Sequence, residues 1–221
     1  PLALRALGEA VDELGWEERV IIGCDIGCSL LAWDFFNLDT LQTHHGRTLP
    51  VLAGLKRVRP ELVPVAYIGD GGAYAIGAQH LVSAASRDEP VFTLVVNNAV
   101  YAMTGGQMAP TTIPDQKTET TPFGRDPEWA GPPLRGAEMA AAVSGPQAYI
   151  ARGTVADLRQ LKRFVLRGLQ NRHFTLIEVL STCPTNWRTQ PGETWEWVEK
   201  VMPRYFPLGE IKSGDREVPE G

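Results

Sequence analysis

The chain has 221 residues, of which 43% are hydrophobic and 21% charged, and its net charge is −5. This length is enough to bury a sizeable core in one large domain. The mild acidity argues against a broad nucleic-acid surface, which needs clustered Lys and Arg. No apolar run approaches the roughly 18 residues that span a bilayer. The three cysteines, an odd number without a visible secretory signal, favour a reducing, cytoplasmic setting.

Apolar runs and helical periodicity alternate along the chain. Residues 2–14 have helical spacing, and five apolar runs predict strands at 20–23, 63–68, 91–96, 148–151 and 174–180. Further helices are predicted at 50–58, 73–86, 136–143 and 155–169. Most strand runs are continuous, which is typical of a sheet covered on both faces. The alternation predicts an α/β fold with a doubly wound, mostly parallel sheet that binds ligands at the carboxyl ends of its strands.

Two segments depart from this alternation. Residues 101–133 are rich in Gly, Pro and Thr, and a loop of this length inside a compact domain is usually functional. The stretch from 183 onward holds several Pro and Trp residues and predicts an arm that packs on its own domain or on a partner. We therefore divide the chain into a domain at 1–182 and an arm at 183–221, of which residues 213–221 are predicted to fray.

The strongest local signal is the sequence Gly69-Asp70-Gly71-Gly72, directly after the predicted strand 63–68. A glycine-rich turn between a strand and a helix suits a phosphate, because the backbone can approach closely and helix N-terminal amides face the anion. A carboxylate beside a phosphate is repulsive unless a cation lies between them, and Mg²⁺ is such a cation. The alternative for this motif alone is an ordinary tight turn.

A second oxygen ligand follows the next strand. The run 91–96 ends in Asn97-Asn98, and a side-chain amide oxygen is a hard ligand suited to Mg²⁺. Together the two halves resemble the thiamine diphosphate motif, in which Gly-Asp-Gly precedes Asn-Asn by some 25 to 30 residues. The resemblance implies that Asp70, Asn98 and the backbone carbonyl of Val100 bind Mg²⁺, and that Gly71 and Gly72 lie against the diphosphate.

Further segments narrow the resemblance to one family. The segments at 26–29, 45–47, 98–101, 104–107, 109–112 and 181–187 occur in an order similar to that of the beta subunits of 2-oxoacid:ferredoxin oxidoreductases, closest to the 2-oxoisovalerate and 2-oxoglutarate branch. This resemblance covers nearly the whole chain and implies the pyrophosphate-domain type of thiamine diphosphate fold. The cofactor-binding residues that it implies are Ile26, Gly27, Cys28, Ser29, His45, Gly69, Asp70, Gly71, Gly72, Asn98, Val100, Ala102, Met103 and Thr104.

The resemblance also implies an activity and its partners. Members of the family oxidatively decarboxylate a 2-oxo acid to acyl-CoA and CO₂, using coenzyme A and passing electrons through an iron–sulfur cluster to ferredoxin. The Glu that activates the cofactor comes from the alpha subunit in this family. Within this chain Glu138 and Glu178 are candidates by residue type only, and an ordinary helix or strand carboxylate is the better interpretation of both.

Two cysteines match cluster ligands of the family. Cys28 and Cys183 correspond to two of the four thiolates that hold a [4Fe–4S] cluster, whereas the Cys-x-x-Cys pair that supplies the other two is absent from this chain. The alternative for both is a buried free thiol, and this is the preferred interpretation of Cys24.

His45 is the candidate catalytic residue. The resemblance places it near the cofactor, where an imidazole can hydrogen-bond the substrate or the diphosphate; the alternative is a surface or capping histidine. Its neighbour His44 is interpreted as a bystander. One departure is that many relatives have Gly-Asp-Gly-Asp, whereas Gly72 stands in the last position here.

Two other functions stay open at this point. The chain could be a subunit of a nonoxidative thiamine-dependent decarboxylase, which would have no use for Cys28 and Cys183 as a pair. It could also be a binding module that keeps the fold without the chemistry, although such a module has no need of Asp70 and Asn98.

Overall fold

The structure is a computed structural model and describes residues 1–214 of the chain. The strands of the described part are β1 (Val20–Cys24), β2 (Asp39–Gln42), β3 (Val63–Gly69), β4 (Phe92–Asn97), β5 (Tyr149–Thr154), β6 (Thr175–Leu180) and β7 (Gly209–Ser213). The α-helices are α1 (Leu2–Leu14), α2 (Thr48–Val58), α3 (Ala78–Ser86), α4 (Pro127–Ala130), α5 (Gly136–Val143), α6 (Leu158–Gln170), α7 (Pro184–Trp187), α8 (Pro191–Glu196) and α9 (Met202–Tyr205). A 3₁₀ helix covers Cys28–Asp34, and two π-helical turns cover Gly72–Ile76 and Trp197–Val201.

The strands form one seven-stranded sheet in the order β2-β1-β3-β4-β6-β5-β7. All pairs are parallel except β5 with β7. Because β2 and β3 lie on opposite sides of β1, the chain reverses direction across the sheet there and leaves a crevice at the carboxyl ends of β1 and β3. The predicted doubly wound, mostly parallel α/β sheet is confirmed.

Two apolar cores cover the two faces of the sheet. Along β3, Val65 and Tyr67 belong to the core that contains α1 and α6, whereas Ala66 and Ile68 belong to the core that contains α2, α3 and α5. Successive side chains of a strand point to opposite faces. A strand between two cores therefore needs apolar residues at every position, which explains the continuous runs of the sequence.

The two edge strands were not predicted. β2 has two exposed ends and a half-exposed middle and carries no apolar run, and β7 is likewise only partly buried. A strand at the edge of a sheet is buried less than an interior strand, so it needs fewer apolar residues. The expectation that residues 213–221 fray is wrong at its first residue, since Ser213 ends β7 and pairs with Tyr149; residues 215–221 lie outside the described part of the chain.

The helix predicted at 73–86 begins differently from the expectation. A π turn at Gly72–Ile76 precedes α3, with the Gly77 amide donating to the Gly72 carbonyl at 2.8 Å. Gly77, which follows the π turn, packs closely against Gly46, since a Cβ on Gly77 would lie 2.5 Å from the Gly46 carbonyl oxygen. The loop that carries His45 is thereby held directly over the glycine-rich turn.

The segment after β6 packs back on the sheet. Val198, Met202 and Phe206 are fully buried in the core that contains α1 and α6, and the rings of Trp187 and Trp197 lie 6.1 Å apart. The division at residue 182 stays a prediction, as does any contact of the arm with a partner. None of the described helices is both long and apolar enough to cross a bilayer.

Candidate functional site

A cavity of about 410 Å³ lies at the carboxyl ends of β1, β3 and β4, in the crevice where the strand order reverses. All the sequence-predicted site residues line it. They are Ile26, Gly27, Cys28, Ser29, His45, Gly69, Asp70, Gly71, Gly72, Asn98, Val100, Ala102, Met103, Thr104 and Cys183. The fold thus brings together residues that are up to 157 positions apart, counted from Ile26 to Cys183.

Asp70 follows β3 and is buried, with 3% of its surface exposed. Burial raises the pKa of its carboxyl to about 7, although hydrogen bonds from the Thr111 hydroxyl and the Gly71 amide oppose the shift. Burial disfavours the charged form of a carboxyl, so a cation beside the Asp70 carboxylate would stabilise its ionised form. A divalent cation in the cavity would provide the missing charge, and a carboxylate is a preferred Mg²⁺ ligand.

The turn after β4 contains three backbone carbonyls, of which one accepts no hydrogen bond from the described residues. The Asn98 carbonyl accepts from the Trp187 indole at 3.0 Å, and the Ala99 carbonyl accepts from Thr112 at 2.7 Å and from Gln116 at 3.1 Å. The Val100 carbonyl accepts no hydrogen bond from residues 1–214. Val100 lines the cavity, so its carbonyl is an available oxygen ligand next to the Asn98 side chain.

The long loop is ordered around one buried arginine. Arg125 is 4% exposed, and its guanidinium donates to the carbonyls of six residues, namely Ala109, Pro110, Thr112, Ala130, Gly131 and Pro132. These bonds fix the segment that carries Thr111, whose hydroxyl donates to Asp70 Oδ2. The loop therefore supports the candidate metal ligand from behind.

The glycines of the cavity fall into two groups. A Cβ built on Gly27 or Gly69 would meet no atom within 4 Å, so the backbone borders open space at both positions. Gly27 also has a φ of 118°, which residues other than glycine rarely adopt. A Cβ on Gly71 would lie 2.1 Å from the Tyr101 ring, and one on Gly72 would lie 2.1 Å from a carboxylate oxygen of Asp25. Protein neighbours alone therefore require glycine at 71 and 72, whereas Gly27 and Gly69 leave room for a ligand.

Asp25 is a buried residue of the site that the sequence analysis missed. Its carboxylate accepts from His45 Nδ1 at 2.8 Å, from the Gly46 amide at 2.7 Å and from the Thr48 hydroxyl at 3.2 Å. The residue directly follows β1, at the carboxyl end where the strand order reverses. That position was a usable signal, because an acidic residue at a switch point lies beside the ligand crevice. Thr111 lies in the segment 109–112 that carries part of the resemblance, but it was not identified as a site residue.

Cys28 and Cys183 line the same cavity, from the 3₁₀ helix and from the start of the arm. Burial and the neighbouring Cys183 raise the pKa of the Cys28 thiol, and the Asn186 amide donates to Cys183 Sγ at 3.2 Å. Cys24 is 1% exposed and does not line the cavity. In residues 1–214 no group of three or more His, Cys, Asp and Glu side chains is arranged to hold a metal, so the two thiols would need further ligands.

Glu138 and Glu178 take no part in lining the cavity. Both are bonded to Arg152, with Arg152 Nε lying 2.5 Å from Glu178 and Arg152 Nη2 lying 2.5 Å from Glu138. Glu178 also accepts from Asn97 Nδ2 at 2.8 Å. Among the described residues Asp70 is the sole carboxylate that lines the cavity.

Comparisons with known proteins identify the family of the chain. The family described as thiamine pyrophosphate enzyme, C-terminal TPP binding domain, matches residues 25–179. The 2-oxoglutarate synthase subunit KorB of Archaeoglobus fulgidus is 35% identical over 200 residues, covering 90% of this chain and 73% of that protein. The ketoisovalerate oxidoreductase subunit VorA of Methanothermobacter thermautotrophicus is 36% identical over 220 residues, covering 96% of this chain.

The chain spans 46% of the length of that VorA subunit. A solved 2-oxoglutarate:ferredoxin oxidoreductase from Magnetococcus marinus, with 2-oxoglutarate, coenzyme A and succinyl-CoA bound, has the same fold with a TM-score of 0.81. It is 22% identical, and the match covers 97% of this chain and 79% of that one. These matches confirm the resemblance found in the sequence: the chain belongs to the thiamine pyrophosphate-binding family, in the group of 2-oxoacid:ferredoxin oxidoreductase beta subunits.

Proposed function

We propose that this chain is the thiamine diphosphate-binding subunit of an enzyme that oxidatively decarboxylates a 2-oxo acid to acyl-CoA and CO₂. In the assembled enzyme a [4Fe–4S] cluster would carry the electrons to ferredoxin, and Cys28 and Cys183 of this chain would be two of its ligands. The observation that carries the proposal is the cavity at the switch point, which is lined by Asp70, Asn98 and Val100 and also by Cys28 and Cys183.

Mg²⁺ would be held by the Asp70 carboxylate, the Asn98 amide oxygen and the Val100 carbonyl. β3 and β4 are neighbours, with Gly69 opposite Val96, so both ligand-bearing turns begin at adjacent tips of the sheet. Three protein oxygens leave coordination positions for the diphosphate, as is usual for Mg²⁺ at phosphate sites. The open backbone at Gly27 and Gly69 leaves room for the cofactor beside the ion.

Thiamine diphosphate, when bound, supplies the electron sink that decarboxylation of a 2-oxo acid requires. The contribution of this chain is to bind and orient the cofactor and to exclude water. His45 provides a proton site at the cavity, because its Nδ1 is taken by Asp25 and its Nε2 is left for a ligand. Apolar lining residues such as Ile26 and Val100 lower the water content around the reacting groups.

The alpha subunit would complete the site by supplying the activating Glu. No glutamate of the described residues lines the cavity, and both interior candidates are bonded to Arg152. Leu31, Phe35 and Met103 line the cavity with 51%, 53% and 47% of their surface exposed. Large apolar side chains in one patch are typical of a surface that a partner covers. Coenzyme A, ferredoxin and the 2-oxo acid belong to the proposal for the assembled enzyme.

Cys28 and Cys183 would provide two ligands of the cluster, and two more thiolates would come from outside these 221 residues. Their position in one cavity favours the oxidative enzyme over a nonoxidative thiamine-dependent decarboxylase, which has no need of paired thiols. Iron content of the assembled enzyme separates the two functions, since the nonoxidative enzyme would contain none. The cytoplasmic location stays a prediction.

Isothermal calorimetry of thiamine diphosphate binding tests the proposal. We expect Mg²⁺-dependent binding that EDTA abolishes and that Asp70→Asn weakens roughly 100-fold or more, since the amide keeps the Thr111 bond but loses the charge. His44→Gln is the matched control, because His44 is exposed and does not line the cavity. Equal binding in EDTA, or equal binding by Asp70→Asn, would contradict the proposed site.

A further inference from the structure

The candidate catalytic histidine is held from behind by a fully buried carboxylate. Asp25 has no exposed surface, and its Oδ2 lies 2.8 Å from His45 Nδ1. Its Oδ1 accepts from the Gly46 amide at 2.7 Å and from the Thr48 hydroxyl at 3.2 Å. The two oxygens of Asp25 therefore bind different groups: Oδ1 accepts hydrogen bonds from the segment that contains Gly46 and Thr48, and Oδ2 accepts one from the His45 imidazole.

This arrangement determines which imidazole nitrogen is available in the cavity. An ionised carboxylate only accepts hydrogen bonds, so Nδ1 of His45 must carry a proton. In the neutral ring the lone pair then lies on Nε2, and in the charged ring Nε2 carries the exchangeable proton. Nε2 is thus the atom that takes up or releases a proton on the cavity side in either state.

The Asp25 carboxylate also occupies the space that a side chain at position 72 would need. A Cβ built on Gly72 would lie 2.1 Å from Asp25 Oδ2 and 3.2 Å from its Cγ. Of the three atoms nearest to such a Cβ, the one that does not belong to Asp25 is Ile68 Cγ2, at 2.9 Å. Only one of the two positions can therefore carry a side chain into this space, and a carboxylate attached at 72 would begin where that of Asp25 ends.

We propose that Asp25 is a positioning residue for His45, and that the carboxylate can be supplied from position 72 when position 25 is vacated. The inference rests on the proposed function, because it concerns the histidine of the proposed thiamine diphosphate site. The argument depends on the Oδ2–Nδ1 contact and on the shared space of positions 25 and 72. It does not depend on the identity of the 2-oxo acid.

Asp25→Asn isolates the effect on His45. Its Oδ1 can keep the bonds from Gly46 and Thr48, while the amide NH₂ replaces Oδ2 and donates to His45 Nδ1. The neutral ring is then forced to carry its proton on Nε2, so its cavity-side acceptor is lost. The loop keeps its anchors, which makes a general loss of structure distinguishable from a change of tautomer.

The first readout is chemical modification of His45 in the assembled enzyme by diethyl pyrocarbonate, followed by peptide mass spectrometry. The lone pair of an unprotonated ring nitrogen attacks this reagent, so the rate reports which nitrogen is free. We expect modification of His45 to be about tenfold slower in Asp25→Asn, because Nε2 is protonated and Nδ1 is covered. The exposed His44, on the same peptide, is the internal control. An unchanged or faster rate at His45 overturns the proposal, whatever happens to turnover.

The second readout is turnover of the assembled enzyme together with thiamine diphosphate binding. Partners that orient a metal-ligating imidazole are typically worth roughly 10- to 100-fold in affinity or activity, and by analogy we expect Asp25→Asn to lower kcat by that amount. The melting temperature should stay close to that of wild type. The calorimetric affinity for thiamine diphosphate should stay within about twofold of wild type, because the change acts on the chemical step and not on binding. A variant that retains wild-type kcat overturns the proposal.

Moving the carboxylate provides the third test. Asp25→Gly should lose activity. The double variant Asp25→Gly/Gly72→Asp should be at least about tenfold more active than Asp25→Gly. Asp25→Gly/Gly72→Ala is the matched control, since it fills the same space without a carboxylate. Equal activities of the two double variants overturn the relocation, and if neither folds, the modification of Asp25→Asn decides the role of Asp25. If wild type binds no thiamine diphosphate the proposed function fails, whereas normal binding with an unchanged Asp25→Asn defeats this inference alone.

Discussion

Arg152 lies in the middle of β5 with no exposed surface and holds together two carboxylates of the interior. It donates to Glu178 at 2.5 Å, to Glu138 at 2.5 Å and to the Pro207 carbonyl at 3.0 Å, and it lies 5.6 Å from the centroid of the Phe206 ring. Arg152→Met keeps much of the apolar volume but leaves the fully buried Glu178 without its cation. Breaking a buried ion pair from one side costs about 3–5 kcal/mol.

In a chain of this size each kcal/mol lowers the melting temperature by about 2–4 °C. We therefore expect Arg152→Met to melt roughly 6–20 °C below wild type in a circular dichroism scan. Arg159→Met is the matched control: Arg159 lies on the exposed side of α6, and surface substitutions usually stay within about 0.5 kcal/mol.

A double-mutant cycle identifies the cause of the loss. Adding Glu178→Gln to Arg152→Met removes the unpaired charge, and the amide oxygen can still accept from Asn97. We expect the double variant to recover about 2 kcal/mol relative to Arg152→Met, because the buried carboxylate is the source of the cost. Strict additivity of the two changes, or a wild-type melting temperature for Arg152→Met, would refute the reasoning.

The remaining predictions concern the cofactors. Cys28→Ser should remove iron from the assembled enzyme, whereas Cys24→Ser should retain it. Cys24 is buried away from the cavity, and burial raises the pKa of its thiol to about 11. Elemental analysis distinguishes the two variants, and equal iron in both would exclude Cys28 as a ligand. Thr111→Val keeps the shape of the side chain but removes its hydrogen bond to Asp70, so calorimetry should show about tenfold weaker Mg²⁺-dependent cofactor binding. Undiminished binding would show that Thr111 does not orient the carboxylate.

The interior strands could be predicted because each lies between two apolar cores. The runs at 63–68 and 91–96 coincide with β3 and β4 to within one residue at either end. β5 is a partial exception: the prediction ended at 151, although the strand continues to Thr154. The reason is Arg152, whose charge ends the apolar run in the sequence and is neutralised in the structure by carboxylates 14 and 26 positions away.

The edges of the sheet could not be predicted by the same means. β2 and β7 are partly exposed and contribute little to either core, so their sequences carry no apolar run. Strand order is a further property that local sequence does not encode, since it depends on which helices cover which face. The location of the crevice between β1 and β3 therefore came from the structure alone.

The site divides in the same way into residues with and without a local signal. Asp70 and Asn98 follow predicted strands inside a spaced motif, which is why the sequence identified both. Thr111 and Asp25 act through contacts with residues 41 and 20 positions away. The position of Asp25 after β1 was a signal for the crevice, but no neighbouring residue indicates its contact with His45. Sequence motifs therefore identify the atoms that face the ligand better than the atoms that hold them.

This difference bears on how the cavity is kept ready for a ligand. Thr111 holds the Asp70 carboxylate, Asp25 holds the His45 ring, and the Asn98 carbonyl is occupied by Trp187 so that the carbonyl of Val100 is the one left free. Asp70 and His45 thus each have a hydrogen-bond partner behind the side chain that limits its rotation. For Asp70 such support suits the narrow geometric tolerance of Mg²⁺ coordination. These supports come from the long loop, from the residue that follows β1 and from the arm. A change at Thr111 should therefore alter cofactor affinity, and a change at Asp25 should alter the tautomer of His45, although neither residue lines the cavity.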